Sequence, residues 1–493
     1  MDSPAKENEN SYRTILKRIS AFGGVQVFNI LVNLIRGKFV AMILGPAGMG
    51  VSSLFATSSA TIQQLGGLGV NLSLVKEVSS SADDPARRAD VMTVAGFLIL
   101  VTSLIGAAIA ILGAPWLSEL SFGSKAYTFD FMLLGAAIAL TIGGGGYLAM
   151  LQGMGEVKRL SKSSVVGSLT GLFCGVPLYW LFGTRGIVPA MVILSLSTFL
   201  FYYISYRRAG GGSDVSFSWN NHSSLAKKIV SLGFIFMIGT LVGSATNYII
   251  NTFVRSTGSL DDVGLFQAAN SLTNQYIGIV FSALAMDYFP RISAASRDNR
   301  RLCNIVNRQA ELVILIATPL VLTVIPLAPI VIRLLLSEDF LPVAPLMRWL
   351  AMGVLLQGIT FPLGYLFIAK DNRKAYVWVE VICANVLWIT CSILFYSLFG
   401  LIGLGVSLVV RTAIDIAVSY SLCRHFFGFI YTRRVVLTLA GCVTLGAIGF
   451  IASLSEGMLS HIGMWTTAGV AICISGLRVR NLLKSDSDGE EGE

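Results

Sequence analysis

Four polar side chains, Gln26, Asn29, Asn33 and Arg36, follow one another at steps of three, four and three residues inside an apolar stretch. At about 100° per residue this spacing collects them on one helical stripe roughly 80° wide. The stretch around 229–254 carries a second stripe, Thr240, Ser244, Asn247, Asn251 and Arg255, and the next stretch adds Gln267, Asn270 and Asn274. A looser set, Ser53, Thr57, Gln64 and Asn71, lies in the second stretch of the chain. A carboxamide offers both donors and acceptors, so rows of them suit a hydroxyl-rich ligand. Hydrogen bonds between packed helices would use the same groups.

Charged side chains inside apolar stretches are costly in lipid, and they usually face a cavity or a partner. Arg36 lies roughly 12 Å inside the end of its stretch, at 1.5 Å per residue. Its guanidinium can fork onto a phosphate or a carboxylate; it could also snorkel to headgroups, as could Lys38, nearer the end. Arg348 stands near an end and is open to the same two readings. Arg255, Lys38 and Arg348 would then be helpers to Arg36 at one side of the membrane. Arg411 and Asp415, at i, i+4 spacing deep in their stretch, read as a structural ion pair or an ion-coupling site. Asp287, Glu311 and Glu380 lie nearer the opposite ends; they could titrate or hold a cation, or be solvated helix ends.

No constellation for catalysis is present. There is no G-x-x-x-x-G-K-[ST] phosphate loop, and the three histidines, His222, His425 and His461, fall in or beside loops. Seven cysteines are scattered without a CxxC pair, the pattern of small buried hydrophobes rather than metal ligands. The expectation is a protein that is not an enzyme, with no cofactor and no metal.

The elements that must position these side chains follow from composition. Of 493 residues 54% are hydrophobic and 13% charged, about half the charge of an ordinary soluble domain. Fourteen apolar runs, from 19–44 to 460–477, are each long enough for a hydrocarbon core of ~30 Å. The run at 309–336 contains Pro319, Pro326 and Pro329, which predicts a kink. Lys and Arg divide 28 to 4 between alternate sets of loops, with four more inside runs. That asymmetry puts both termini on the cytoplasmic side, and it accounts for the net charge of +9 without nucleic acid.

A shift of 214 residues aligns the two halves without gaps: Asn33 with Asn247, Ser79 with Ser293, Asp84 with Asp298, Arg87 with Arg301. The predicted fold is an all-α polytopic membrane protein with about 14 transmembrane helices. Two six-helix lobes related as parallel repeats surround a central cavity, and two C-terminal helices are appended. The expected divisions are a cytoplasmic segment 1–18, a first lobe 19–206, a cytoplasmic linker 207–226, a second lobe 227–424, the appended pair 425–484, and an acidic, solvated tail 485–493.

The runs ILGPAGMGVSSLF (43–55) and LGGLGVNLSLVKEVS (65–79), with VGLFQAANSLTNQYIG (263–278) and FPRIS (289–293), carry a resemblance. The chain resembles the polysaccharide transporter (Wzx-type oligosaccharide flippase) family of the multidrug/oligosaccharidyl-lipid/polysaccharide superfamily, over nearly all of the first twelve runs. The resemblance implies a V-shaped pair of lobes in a bacterial inner membrane. It also implies flipping of undecaprenyl-diphosphate-linked oligosaccharide to the outer leaflet for O-antigen or exopolysaccharide, driven by an ion gradient. The partners it implies are that lipid-linked substrate, membrane lipids, a coupling H+ or Na+, and polysaccharide polymerase or assembly proteins. Two rivals remain: a cation-coupled multidrug exporter, disfavoured by a first run with Arg36 and Lys38 and no acid, and a non-transporting scaffold.

Overall fold

The computed structural model describes the backbone of residues 4–81, 84–211, 218–296, 298–370, 372–455 and 457–490. Side chains of 4–27 and 481–490, and of several positions within helices, lie outside the described set; Gln26, Asn274, Asp287 and Glu380 are among them. In lipid a segment must satisfy its own backbone groups, which a helix does. The helices are α1 (Pro4–Gly67), α2 (Val70–Ser80), α3 (Pro85–Phe122), α4 (Thr128–Gly153), α5 (Val157–Phe182), α6 (Ile187–Arg208), α7 (Trp219–Thr257) and α8 (Leu260–Ala294). They continue as α9 (Asn299–Leu335), α10 (Ala344–Ala369), α11 (Arg373–Tyr376), α12 (Ala384–Phe399), α13 (Leu401–Phe427), α14 (Arg433–Ala452) and α15 (Met458–Glu490), with a π-helical turn at Val377–Cys383.

Among the described residues ten segments are long and apolar enough to cross a membrane, or eleven with the bent helix α7. Two of them, Phe28–Gly67 and Val157–Arg208, each contain two of the runs expected from sequence, and α8 contains the run not counted. All fourteen runs are therefore helical, and the chain is a multi-pass membrane protein. The three prolines lie within a continuous α9, against which α10, α14 and α15 pack. The pronounced break is in α1, at Gly45, whose φ of 64° and ψ of −168° only glycine adopts without strain.

The chain divides into two compact units, Met1–Val263 and Gly264–Glu493. In the first, α7 packs against α1, α2 and α3. In the second, α14 and α15 pack on α9. The same local devices recur in both. Asp84 caps α3, its carboxylate accepting from the backbone N–H of Ala86 and Arg87 at 3.1 Å. Asp298, 214 residues on, caps α9 through Arg300 and Arg301 at 2.9 and 3.2 Å. Leu74, Met92 and Ala149 lie in one buried cluster, and their equivalents Tyr288, Val306 and Leu363 lie in the other.

Two tight corners also match, at a slightly different offset. Gly183 (φ 57°, ψ −134°) turns α5 into α6, and Gly400 (φ 60°, ψ −142°) turns α12 into α13. Three residues after each, a second glycine touches the preceding helix. A Cβ on Gly186 would fall 2.1 Å from the Leu178 carbonyl oxygen, and one on Gly403 1.9 Å from that of Phe395.

Candidate functional site

The polar stripe of α1 is held by α5. Asn29 Nδ2 donates to Ser164 Oγ at 2.8 Å, and its Oδ1 is buried without a hydrogen-bond partner. One turn further, Asn33 is exposed, and Arg36 is half-buried where its charge reaches the Tyr179 hydroxyl of α5. Among the described residues Asn33 has no hydrogen-bond partner and Arg36 no carboxylate partner. Lys38 is half-buried and engaged with a neighbour. Gln26 lies outside the described side chains. Asn33 and Arg36 thus form a short donor-rich ledge just before the break at Gly45.

The stripe of α7 is differently occupied. Thr240 Oγ1 donates to Gln64 Oε1 at 2.9 Å, and Asn251 Nδ2 to Ser53 Oγ at 3.1 Å, with Asn251 only 2% exposed. Asn247 Nδ2 turns back onto its own helix, to the Gly243 carbonyl at 3.0 Å. Arg255 donates to the Phe122 carbonyl, the last of α3. Gly123 makes room for it: its φ is 64°, and a Cβ there would meet the guanidinium at 2.6 Å. Four members of this stripe are spent on protein contacts. The helix also meets the α1–α2 break at close range, where a Cβ on Gly69 would lie 2.1 Å from the Gly233 carbonyl oxygen.

The remaining candidates sit in the second unit or at its edge. Gln267 donates to Ser271 at 3.2 Å, and Asn270 is half-buried and engaged. Arg348 donates to the Ser453 carbonyl at 2.5 Å and so closes the end of α14. Arg411 lies over the Trp388 ring, 5.0 Å from its centroid, and its charge acts on buried Asp415, which accepts from Ser419 at 3.3 Å. Asn274, Asp287 and Glu380 lie outside the described side chains.

Two buried carboxylates do more than the sequence suggested. Glu77, singled out by nothing in its spacing, is 2% exposed and pairs with Lys228 at 2.7 Å and Arg87 at 3.5 Å, joining α2, α3 and α7. Glu311 is 3% exposed and engages Arg434 at 3.3 Å, Thr438 at 3.2 Å and Arg478 at 3.9 Å, fastening α14 and α15 to α9. Removing the partners of such a buried charge typically costs 3–5 kcal/mol. A useful signal for Glu77 would have been basic residues at corresponding ends of other runs, a long-range relation that spacing along the chain does not carry.

Residues 39–345 match a family model described as "Polysaccharide biosynthesis protein". The chain belongs to that family. It is 25% identical over 359 residues to the lipid III flippase of Escherichia coli (strain K12), with 71% of this chain and 83% of that protein covered. The lipid III flippase of Shigella flexneri matches equally. Among solved structures, an inward-facing multidrug resistance MATE transporter of the MOP superfamily superposes with TM-score 0.69 at 19% identity, covering 81% of this chain and 94% of that one. The lipid II flippase MurJ, in an inward closed conformation, superposes with TM-score 0.68 at 14% identity, covering 95% and 100%. The family member therefore has the fold shared by these transporters. That fold is common to a drug exporter and a lipid flippase, so the two neighbours do not separate those activities.

Proposed function

We propose that this family member flips a lipid-linked oligosaccharide, carried on undecaprenyl diphosphate, from the inner to the outer leaflet of a bacterial inner membrane. The product would serve surface polysaccharide such as O-antigen. An ion gradient drives alternating access in this reading, with the basic loops and both termini cytoplasmic. The observation that carries it is the ledge on α1: Asn33 and Arg36 together offer carboxamide and guanidinium donors that the described residues leave unspent. A diphosphate is expensive to move unpaired through a low-dielectric core, and a fixed guanidinium lowers that cost. Kinship with two lipid III flippases supports a lipid-linked substrate.

The multidrug exporter remains the rival, because a MATE transporter shares the fold. Purified protein in liposomes decides between them. Lipid-diphosphate oligosaccharide bearing a fluorophore should become accessible to a quencher on the opposite side, faster with an imposed H+ or Na+ gradient. Uptake of hydrophobic cations, with no flipping of the labelled lipid, would replace this reading with the exporter.

A further inference from the structure

Two adjacent lysines near the start of α7 turn to different sides of the helix. Lys228 Nζ lies 2.7 Å from the buried carboxylate of Glu77. Lys227 is exposed and, among the described residues, has neither a hydrogen bond nor a carboxylate partner. It lines instead a groove of about 520 Å³ between α3 and α7, inside the first unit and within the usual range for small-ligand pockets. The walls are Phe97, Leu98 and Val101 of α3 and Ala226, Val230 and Phe234 of α7. Trp219 and Ser231, both exposed, complete the lining, in which Lys227 is the one charged residue.

The two walls are tied to each other before any ligand arrives. His222 Nε2 lies 3.5 Å from Asp90 Oδ1 of α3, and Glu77 joins Lys228 to Arg87 of α3. Ala226 and Ile229 sink into the buried cluster that holds Met92 and Leu98. Beside that anchored face, Lys227, Ser231 and Phe234 follow at steps of four and three and so share one stripe. The Ser231 hydroxyl, like Lys227, has no partner among the described residues. Phe234 stands immediately before the 41° bend of α7. Over roughly 10 Å, at 1.5 Å per residue, the stripe passes from a cation through a hydroxyl to an aromatic ring. That order matches an amphiphile with an anionic group at the membrane surface and a tail beneath it, and Trp219 is the residue type that favours such a boundary.

We propose that this groove binds an acidic phospholipid from the leaflet that meets the basic loops, its tail between α3 and α7 and its phosphate at Lys227 and Ser231. A choline headgroup carries its own cation beside the phosphate and gains less from Lys227, so the groove discriminates by headgroup charge. One lysine near the membrane surface is enough for about a fivefold preference. The site is separate from the ledge on α1, and it stands whatever that ledge meets. Full-length protein in phosphatidylcholine liposomes tests it, with the same small mole fraction of phosphatidylglycerol or phosphatidylcholine bearing a photoactivatable diazirine in its tail. Mass spectrometry maps the labelled residues. The phosphatidylglycerol label should concentrate on 97–101 and 219–234, about fivefold above the phosphatidylcholine label there. Lys227→Gln, at an exposed position, should bring the two lipids to parity. Arg208→Gln, an equal loss of charge in the same unit, should keep the preference. Ser231→Trp, also at an exposed position, fills the groove and should strip both labels from 97–101. Equal labelling of the native protein by the two lipids would mean that any tail fills the groove, and would overturn the site. So would a preference that survives Lys227→Gln or is lost in Arg208→Gln, or labelling of 97–101 unchanged by Ser231→Trp. Stronger displacement of the label by undecaprenyl phosphate than by unlabelled phosphatidylglycerol would give the groove to a polyprenyl lipid, and the assignment would fall.

Discussion

Helices α1 and α7 carry repeat-equivalent polar stripes, with Asn33 of one matching Asn247 of the other. Their side chains meet different fates. On α7, Thr240, Asn251 and Arg255 cross to Gln64, Ser53 and Phe122, and Asn247 bonds its own backbone. On α1, Asn29 crosses to Ser164, but Asn33 and Arg36 stop short of any such tie among the described residues. A polar row inside a membrane span is therefore not one kind of feature. The same pattern is mortar on one helix and open donor capacity on the other, and only the partners distinguish them.

The largest effect that could break this contrast falls on Arg36. Arg36→Ala should reduce surface polysaccharide at least tenfold, with protein level and membrane insertion unchanged, because little of the fold leans on that side chain. Arg36→Lys should recover only part of it, since an ammonium keeps the charge but loses the two-pronged fork. Immunoblotting of membranes beside a polysaccharide stain reads both. Normal polysaccharide in Arg36→Ala cells would mean that the guanidinium merely snorkels to headgroups.

Arg255 should behave the opposite way. Arg255→Ala strips the donor from the Phe122 carbonyl at the end of α3 and leaves Gly123 facing a void. Hydrogen bonds to charged groups contribute about 1.5–3 kcal/mol, which at this size lowers the melting temperature by several degrees. Polysaccharide should fall only as far as the amount of folded protein falls. A transport loss beyond that would return Arg255 to the ligand path.

Asn251 should show a smaller effect than Arg255. Its bond to Ser53 is buried, and interhelical hydrogen bonds in membranes average about 0.6 kcal/mol. A double-mutant cycle of Asn251→Ala and Ser53→Ala, followed by thermal unfolding in detergent, should return a coupling of that order. Coupling near zero would detach the amide from the role assigned to it.

Much of this architecture could be read in advance, for reasons that differ by feature. Fourteen helical runs follow from hydropathy, because lipid leaves a spanning segment few other structures. The 214-residue repeat was legible from matched residues along both halves, among them Asp84 and Asp298, whose capping role depends on local sequence alone. The glycine corners escaped it: Gly183 and Gly400 are offset by three residues more, so an ungapped alignment passes over them. Arg255 and Arg348 could be found as cations at the ends of their runs, but not as helix-end donors. Their acceptors, Phe122 and Ser453, are more than a hundred residues away along the chain. The pairing of Glu77 with Lys228 was hidden for the same reason.

The smallest effect is expected at Thr240, and there the contrast between α1 and α7 is tested most finely. Thr240 lies just past the 41° bend of α7, on an exposed face, with its hydroxyl directed at Gln64 Oε1 at 2.9 Å. The same hydroxyl is also within reach of the Met237 carbonyl at 3.1 Å and the Phe236 carbonyl at 3.3 Å. A proton shared among three acceptors commits little to any one of them, and half-exposed Gln64 can find another donor. Thr240→Val keeps the shape and β-branching while removing the donor, so it should change stability by less than about 0.5 kcal/mol and the melting temperature by about 2 °C at most. Surface polysaccharide should stay at the wild-type level. Should Thr240→Val reduce polysaccharide while the protein melts as before, the hydroxyl must meet the ligand, and the stripe of α7 would be open at its bend as α1 is open at Asn33.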